Sequence, residues 1–249
     1  MEAAMEKKNM EIQAINHQTI GQRLKSYKRS PLSLVLLLLV SVSALLTVLT
    51  LLFLIAYILI KGIPYLTPSL FAWEYTTENV SLMPALVNTI VMTGLSLLIA
   101  VPLGIFAAIY LVEYAKRGNK LVKLVRMTTE TLSGIPSIVY GLFGYLMFGV
   151  AFHWGYSMLS GALTLAIMVL PSIMRTTEEA LKAVPDSYRE GSFGLGAGRL
   201  RTVFVVILPS AIPGILAGVI LAIGRITGET AALIYTAGTV PGIPTTKLA

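Results

Sequence analysis

Arg225 and Glu229 are the two charged residues in the apolar stretch from Pro213 to Thr236, and they stand four positions apart. On one helix that spacing puts both side chains on one face. A guanidinium can donate two parallel hydrogen bonds to a single oxyanion. A carboxylate beside it can orient that fork or accept a hydrogen bond from an anion that keeps a proton. The same pair also suits an internal salt bridge that only holds helices together. A second candidate is the stretch REGSFGLGAGRL, Arg189 to Leu200, whose Gly194, Gly196 and Gly198 have the look of a phosphate-cradling loop. A dinucleotide loop needs a strand before it and a helix after it within a βαβ unit, and that context is missing here. No GxxxxGK[ST] loop occurs either, so this chain is not expected to bind and hydrolyse ATP by itself.

Other chemistries are poorly supplied. The 249 residues include no cysteine, which excludes disulfides and thiol metal sites. His17 and His153 are far apart and neither has a metal-ligand spacing partner, so no metal and no cofactor are expected. A membrane hydrolase would need a nucleophile and a base in a recognisable arrangement, and none is present.

The elements that must position Arg225 and the glycine stretch are membrane helices. Apolar residues make up 55% of the chain and charged ones 12%, with a mean hydropathy of +0.79, outside ordinary soluble composition. Leu32 to Ile60 is unbroken by charge; as a helix it measures about 43 Å, against a hydrocarbon core of roughly 30 Å. That is too long for a cleaved secretory leader. Further charge-poor stretches run from Ala85 to Val112, Thr131 to Ala151, Tyr156 to Met174 and Pro213 to Thr236. The fold class is an all-α polytopic bundle with five spans. Counted from Pro213 as the start of the last span, Arg225 lies about 18 Å along it, inside the membrane. A charge there costs roughly 2.5 to 3.5 kcal/mol on insertion scales and faces a bundle interior or a watery path.

The net charge of +7 suggests nucleic acid in a soluble protein, but here the basic residues flank apolar runs. Lys7, Lys8, Arg23, Lys25, Lys28 and Arg29 precede the first span; Lys116, Arg117, Lys120, Lys123 and Arg126 follow the second; Arg175, Lys182, Arg189, Arg199 and Arg201 follow the fourth. The positive-inside rule then puts the N-terminus in the cytoplasm and the C-terminus outside. Residues 1–31 read as a basic cytosolic tail, with membrane lipid as a candidate partner. Residues 32–60 are the first helix, 85–240 the core with a cytosolic loop at 175–201, and 241–249 an external end. Gly214 with Gly218, and Gly224 with Gly228, have the spacing that allows close helix approach. Gly134 and Pro136 are candidate helix breakers, and Tyr140 a polar edge for a path.

Within the loop, Pro185, and Ser187 with Glu190 as a capping box, predict a short helix that Gly194 and Gly196 end. A charged, shaped element outside the bilayer suits a grip by another protein. EGSFGLGAGRLRTVFVVILP, Glu190 to Pro209, resembles the EAA loop of ABC-importer permeases: E-A-A, three residues, G, nine residues, I-x-L-P. Glu190, Gly196, Leu208 and Pro209 match; Gly191 and Ser192 stand for the alanines and Val206 for the isoleucine. The resemblance implies that this loop docks into a separate ATPase, which accounts for the missing nucleotide loop.

NTIVMTGLSLLIAVPLGIFAAIYLVEYAKRG from Asn88, ETLSGIPSIVYGLFG from Glu130 and GRITGETAALIYTAG from Gly224 extend the resemblance to the A subunit of phosphate ABC-importer permease pairs, over most of residues 85–240. It implies a type I ABC-importer permease fold in a bacterial inner membrane, with phosphate as substrate and Arg225 and Glu229 on its path. The implied partners are a second permease subunit, two ATPase subunits and an external phosphate-binding protein. The family has a sixth, terminal helix, which the chain as given is expected to lack. A permease for a related oxyanion and a nontransporting sensor or scaffold are the alternatives.

Overall fold

The computed structural model describes residues 31–116 and 118–239. The basic tail before Pro31, His17, Arg117 and the end at 241–249 lie outside the described residues. Every regular element among the described residues is helical, as an apolar chain in hydrocarbon requires if its backbone polar groups are to be satisfied within each segment.

The chain falls into two units, divided after Thr67. The first holds α1, Pro31–Gly62, with none of its residues buried. Its two threonines, Thr47 and Thr50, turn their hydroxyls back onto the carbonyls of Ser43 and Leu46 at 2.8 Å, which hides those polar groups within the helix itself.

The second unit contains α2 (Met83–Tyr114), α3 (Lys120–Ser133), α4 (Ser137–Ala151), α5 (Met158–Ala183), α6 (Asp186–Gly194), α7 (Arg199–Thr227) and α8 (Ala231–Thr236). α5 is its central post. Leu165, Met168, Val169, Ile173 and Leu181 are all buried along it. Toward one end they meet Met92 and Ala100 of α2, Tyr140 of α4 and Ala222 and Ile226 of α7; toward the other, Ala108 and Ile109 of α2 and Val203, Ile207 and Ala211 of α7. Small residues set how closely these helices approach. A Cβ on Gly214 would stand 2.6 Å from the Ala180 Cβ, and one on Gly218 would collide with the Thr176 side chain. The Ser96 hydroxyl, buried, meets the carbonyls of Met92 at 2.7 Å and Ala162 at 3.0 Å, tying α2 to α5.

Among the described residues, α1, α2, α5 and α7 are long and apolar enough to cross a membrane, and the bent pair α3–α4 makes a fifth span if taken as one. Three boundaries differ from the sequence reading. The third span is not straight: α3 and α4 meet at 105°, because Pro136 lacks an N–H and pushes the residue before it out of helical space. α5 continues past Met174 to Ala183, carried through its charged end by Arg175 with Glu179 and Lys182 with Glu178 at i,i+4. The last span begins at Arg199, ahead of Pro213, and stops at Thr227. Gly228 closes it, and α8 is a separate short helix.

α8 packs directly on α4. A Cβ on Gly141 would lie 2.8 Å from Ala232 Cα and 3.0 Å from its carbonyl oxygen, and backbone cannot swing aside as a flexible side chain can. Gly141→Ala is expected to cost about 1 to 3 kcal/mol, measured as a lower unfolding midpoint in detergent. Gly224→Ala is the control: nothing lies within 4 Å of its Cβ position, so replacing glycine within a helix should be neutral or stabilising by up to about 1 kcal/mol.

Candidate functional site

The region from Val184 to Gly198 forms an elbow between α5 and α7. Pro185 stands immediately before α6 with an extended ψ of 140°, and Asp186 begins the helix, where an acid complements the helix dipole. Ser187 is therefore inside the first turn, and the expected Ser187–Glu190 capping box does not form. Gly196 has φ +82°, a left-handed conformation that any side chain would strain, and its N–H closes α6 on the carbonyl of Phe193 at 2.9 Å. Ser192 and Thr202 share a hydrogen bond at 2.8 Å, joining α6 to the start of α7.

Glu190, Gly191 and Gly196 all face outward on this elbow, while Leu208 is half-buried and Pro209 exposed farther along α7. Beside the glycines the elbow holds bulky apolar groups in the open: Leu195 is 92% exposed, with Tyr188, Phe193 and Leu200 exposed around it. Apolar side chains of that size presented together on a charged elbow suit burial by another protein surface.

The elbow is clamped from beneath by a residue the sequence reading passed over. The Arg189 guanidinium lies largely buried, 16% exposed, against Glu113 at the end of α2, 9% exposed. Nη2 donates to Glu113 Oε1 at 2.7 Å and to the Leu181 carbonyl at 2.9 Å; Nη1 donates to the Val184 carbonyl at 2.9 Å and to Asp186 at 3.1 Å. One side chain thus joins α2, the last turn of α5 and α6. The hydrogen bond to Glu113 holds the guanidinium above its ordinary pKa. A raised basic group keeps its stabilising effect below its unfolded value and loses it only as pH climbs through the folded one, so this cation stays charged at every working pH. Nearby, Glu178, largely buried, takes Arg126 and Lys182 on one oxygen at 2.6 Å each, fastening α3 to α5.

Arg225 sits on α7 with an exposed side chain. The contacts of Gly214 with Ala180 and Gly218 with Thr176 set an antiparallel register; two turns on, Arg225 comes level with Val169. That is within the charge-free part of α5, Met158 to Met174. Among the described residues no carboxylate lies within salt-bridge distance of Arg225. The expected shared face with Glu229 does not exist, because the helix ends between them. Glu229 instead accepts the N–H of Ala232 through Oε1 at 3.1 Å, capping α8. Tyr140 is not an open polar edge either: its hydroxyl donates to the Leu132 carbonyl at 2.8 Å across the α3–α4 bend. Of the paired glycines, the first pair packs on α5, whereas Gly224 and Gly228 touch nothing beyond their own segment.

The described residues thus form a polytopic helical membrane protein with an arginine outside any ion pair on α7 and an apolar-tipped elbow between α5 and α7. Residues 100–247 match the family model described as "Binding-protein-dependent transport system inner membrane component", and the chain belongs to that family. It is 41% identical over 192 residues to a probable ABC transporter permease of Bacillus subtilis, covering 74% of this chain and 63% of that protein. The phosphate transport system permease protein PstA of Pasteurella multocida is 42% identical over 180 residues, with 71% and 63% covered; PstA of Haemophilus influenzae is 34% identical over 219 residues, with 87% and 77% covered. The chain thus spans under two thirds of the first two relatives. An inward-facing structure of the MetNI methionine ABC transporter superimposes with a TM-score of 0.52 at 23% identity, over 62% of this chain and 72% of that one, so the two share a fold over that region.

Proposed function

We propose that this chain is a permease subunit of an ATP-driven importer of inorganic phosphate. The observation that carries the reading is its identity of 34 to 42% with phosphate permeases of two bacteria, with Arg225 left free among the described residues to take an anion. Arg225 is the anion-facing element of the path. Glu229 fixes the α7–α8 break next to it through Oε1, and its second oxygen is available to a proton-bearing phosphate. The elbow carrying Glu190, Gly191 and Gly196, followed by Leu208 and Pro209, docks into one of two ATPase subunits. A second permease subunit completes the path and an external phosphate-binding protein delivers the anion. Residues 1–31 form a cytosolic tail, 32–60 the first span, 85–240 the core and 241–249 an external end, which sets the N-terminus and the α6 end in the cytoplasm.

The test is uptake by the reconstituted system. With partner permease, ATPase and binding protein in liposomes, labelled phosphate should accumulate only with ATP, and neither excess sulfate nor molybdate should inhibit. Inhibition by either would shift the substrate to a related oxyanion, and ATPase binding without uptake of any oxyanion would leave a sensor or scaffold.

A further inference from the structure

Above the Glu113–Arg189 clamp, the end of α2, the amphipathic helix α3 and the elbow enclose an open cleft of about 860 Å³. Its charge is unbalanced. Arg126, Lys182 and Arg189 on its walls are spent on Glu178, Glu113 and Asp186. Lys116, Lys120, Lys123 and Arg199 also line it, and among the described residues none of them has a carboxylate within salt-bridge distance; Glu130 is the one lining acid outside an ion pair. Arg199 is held over the ring of Tyr114 at 5.8 Å, so this cation is fixed beside the cleft without being neutralised.

The helix that supplies two of those lysines has a second exposed face. Val122, Val125, Thr129 and Leu132 point into the bundle, while Leu121 and Leu124 are 57% and 63% exposed and do not line the cleft. At 100° per residue the apolar stripe and the cationic wall meet along Lys120 and Met127, and Met127 is also exposed. Lysines beside leucines on an amphipathic helix turned 105° from the one that follows it are the pattern of a helix seated at the boundary of headgroups and acyl chains. A basic pocket between spans at that level takes an acidic headgroup.

We propose that this cleft is a binding site for an anionic phospholipid: Lys116, Lys120, Lys123 and Arg199 take the phosphate and its negative headgroup, and the acyl chains lie along Leu121, Leu124 and Met127. The site lies outside the Arg225 path and differs from the tail before Pro31. It rests on placing the α6 end at the cytoplasmic leaflet and not on the substrate, so a chain that carried another anion would still hold this lipid.

Native mass spectrometry of the full chain in detergent, titrated with phosphatidylglycerol or phosphatidylcholine at equal concentration, reads the site directly. Phosphatidylglycerol should be retained at least ~10-fold better, since the two share a phosphate but differ in net charge. Lys120→Gln with Lys123→Gln should bring retention down to the phosphatidylcholine level, and Lys61→Gln, an equal kind of charge loss outside the cleft, should leave it unchanged. Arg199→Gln, on a different element, should weaken retention independently, so a damaged α3 does not decide the matter. Equal retention of the two lipids, or no effect of the lysine pair and of Arg199→Gln, would overturn the proposal. Displacement by millimolar inorganic phosphate would make the free anion the ligand, and loss of the lipid on adding the ATPase would make the cleft a subunit contact; either result removes the lipid assignment.

Discussion

Arg225→Gln is expected to reduce the initial rate of ATP-dependent phosphate uptake at least ~100-fold while the assembled complex still hydrolyses ATP at its basal rate. The expectation follows from what the side chain lacks. An arginine at the level of Val169 carries an insertion cost of roughly 2.5 to 3.5 kcal/mol, and one kept for structure would recover it from a buried carboxylate. Among the described residues Arg225 has none: Glu229 is engaged beyond the end of α7 as the cap of α8. Two charge-assisted bonds to phosphate at about 1.5 kcal/mol or more each amount to about 3 kcal/mol, which is two decades in rate. Arg225→Lys keeps the charge but not the fork and should recover only part of the rate. Glu229→Gln keeps the Oε1 acceptor, so α8 stays capped; its effect should appear in discrimination between phosphate and sulfate and not in stability. If Arg225→Gln left uptake within twofold and lowered only the unfolding midpoint, the arginine would be a packing residue and the path would lie elsewhere.

What the sequence made legible was set by locality. The five charge-poor stretches were visible because hydrophobic length is a property of a single segment, and the elbow helix because Pro185, Gly194 and Gly196 punctuate the chain within a dozen residues. The bend between α3 and α4 was likewise announced by Gly134 and Pro136. The span holding Arg225 differs from the sequence reading at both ends for two reasons: Pro213 suits a helix start but lies inside α7, and Gly228 ends the helix inside the apolar stretch that runs on to Thr236. α7 runs continuously through Arg199 and Arg201, since its first turn lies against α6 through Thr202, and it stops at Gly228 although the sequence stays apolar after it. An i,i+4 spacing implies a shared face only while the helix lasts. Glu113 and Arg189 were illegible for the opposite reason. They are 76 positions apart, and nothing local in either segment marks one as the other's partner; only the packing of α2 against the end of α5 brings them together.

Arg189→Ala is therefore expected to have the largest effect on coupling. The substitution leaves Glu113 as a largely buried carboxylate without a cation, a change that costs about 3 to 5 kcal/mol, and it strips the carbonyls of Leu181 and Val184 of their donor. That sum is a large fraction of the stability of any single domain, yet most of it acts on α6, because the α2–α5–α7 core does not contain Arg189. The chain should still insert and remain helical, while amide exchange from Tyr188 to Leu195 accelerates at least ~100-fold and co-purification of the ATPase falls with it. Arg189→Lys should not rescue, since one ammonium cannot reach a carboxylate on α2 and two carbonyls at the end of α5 with the geometry of the fork. Arg189→Met combined with Glu113→Leu separates the two contributions. Removing both charges spares the cost of a lone buried carboxylate, so overall stability should return, but the two carbonyls stay bare and α6 should still exchange quickly. Should α6 instead remain protected and the ATPase bound in Arg189→Ala, the Ser192–Thr202 bond and the packing of the elbow would suffice to hold it, and the guanidinium would be a local ion pair with no part in coupling.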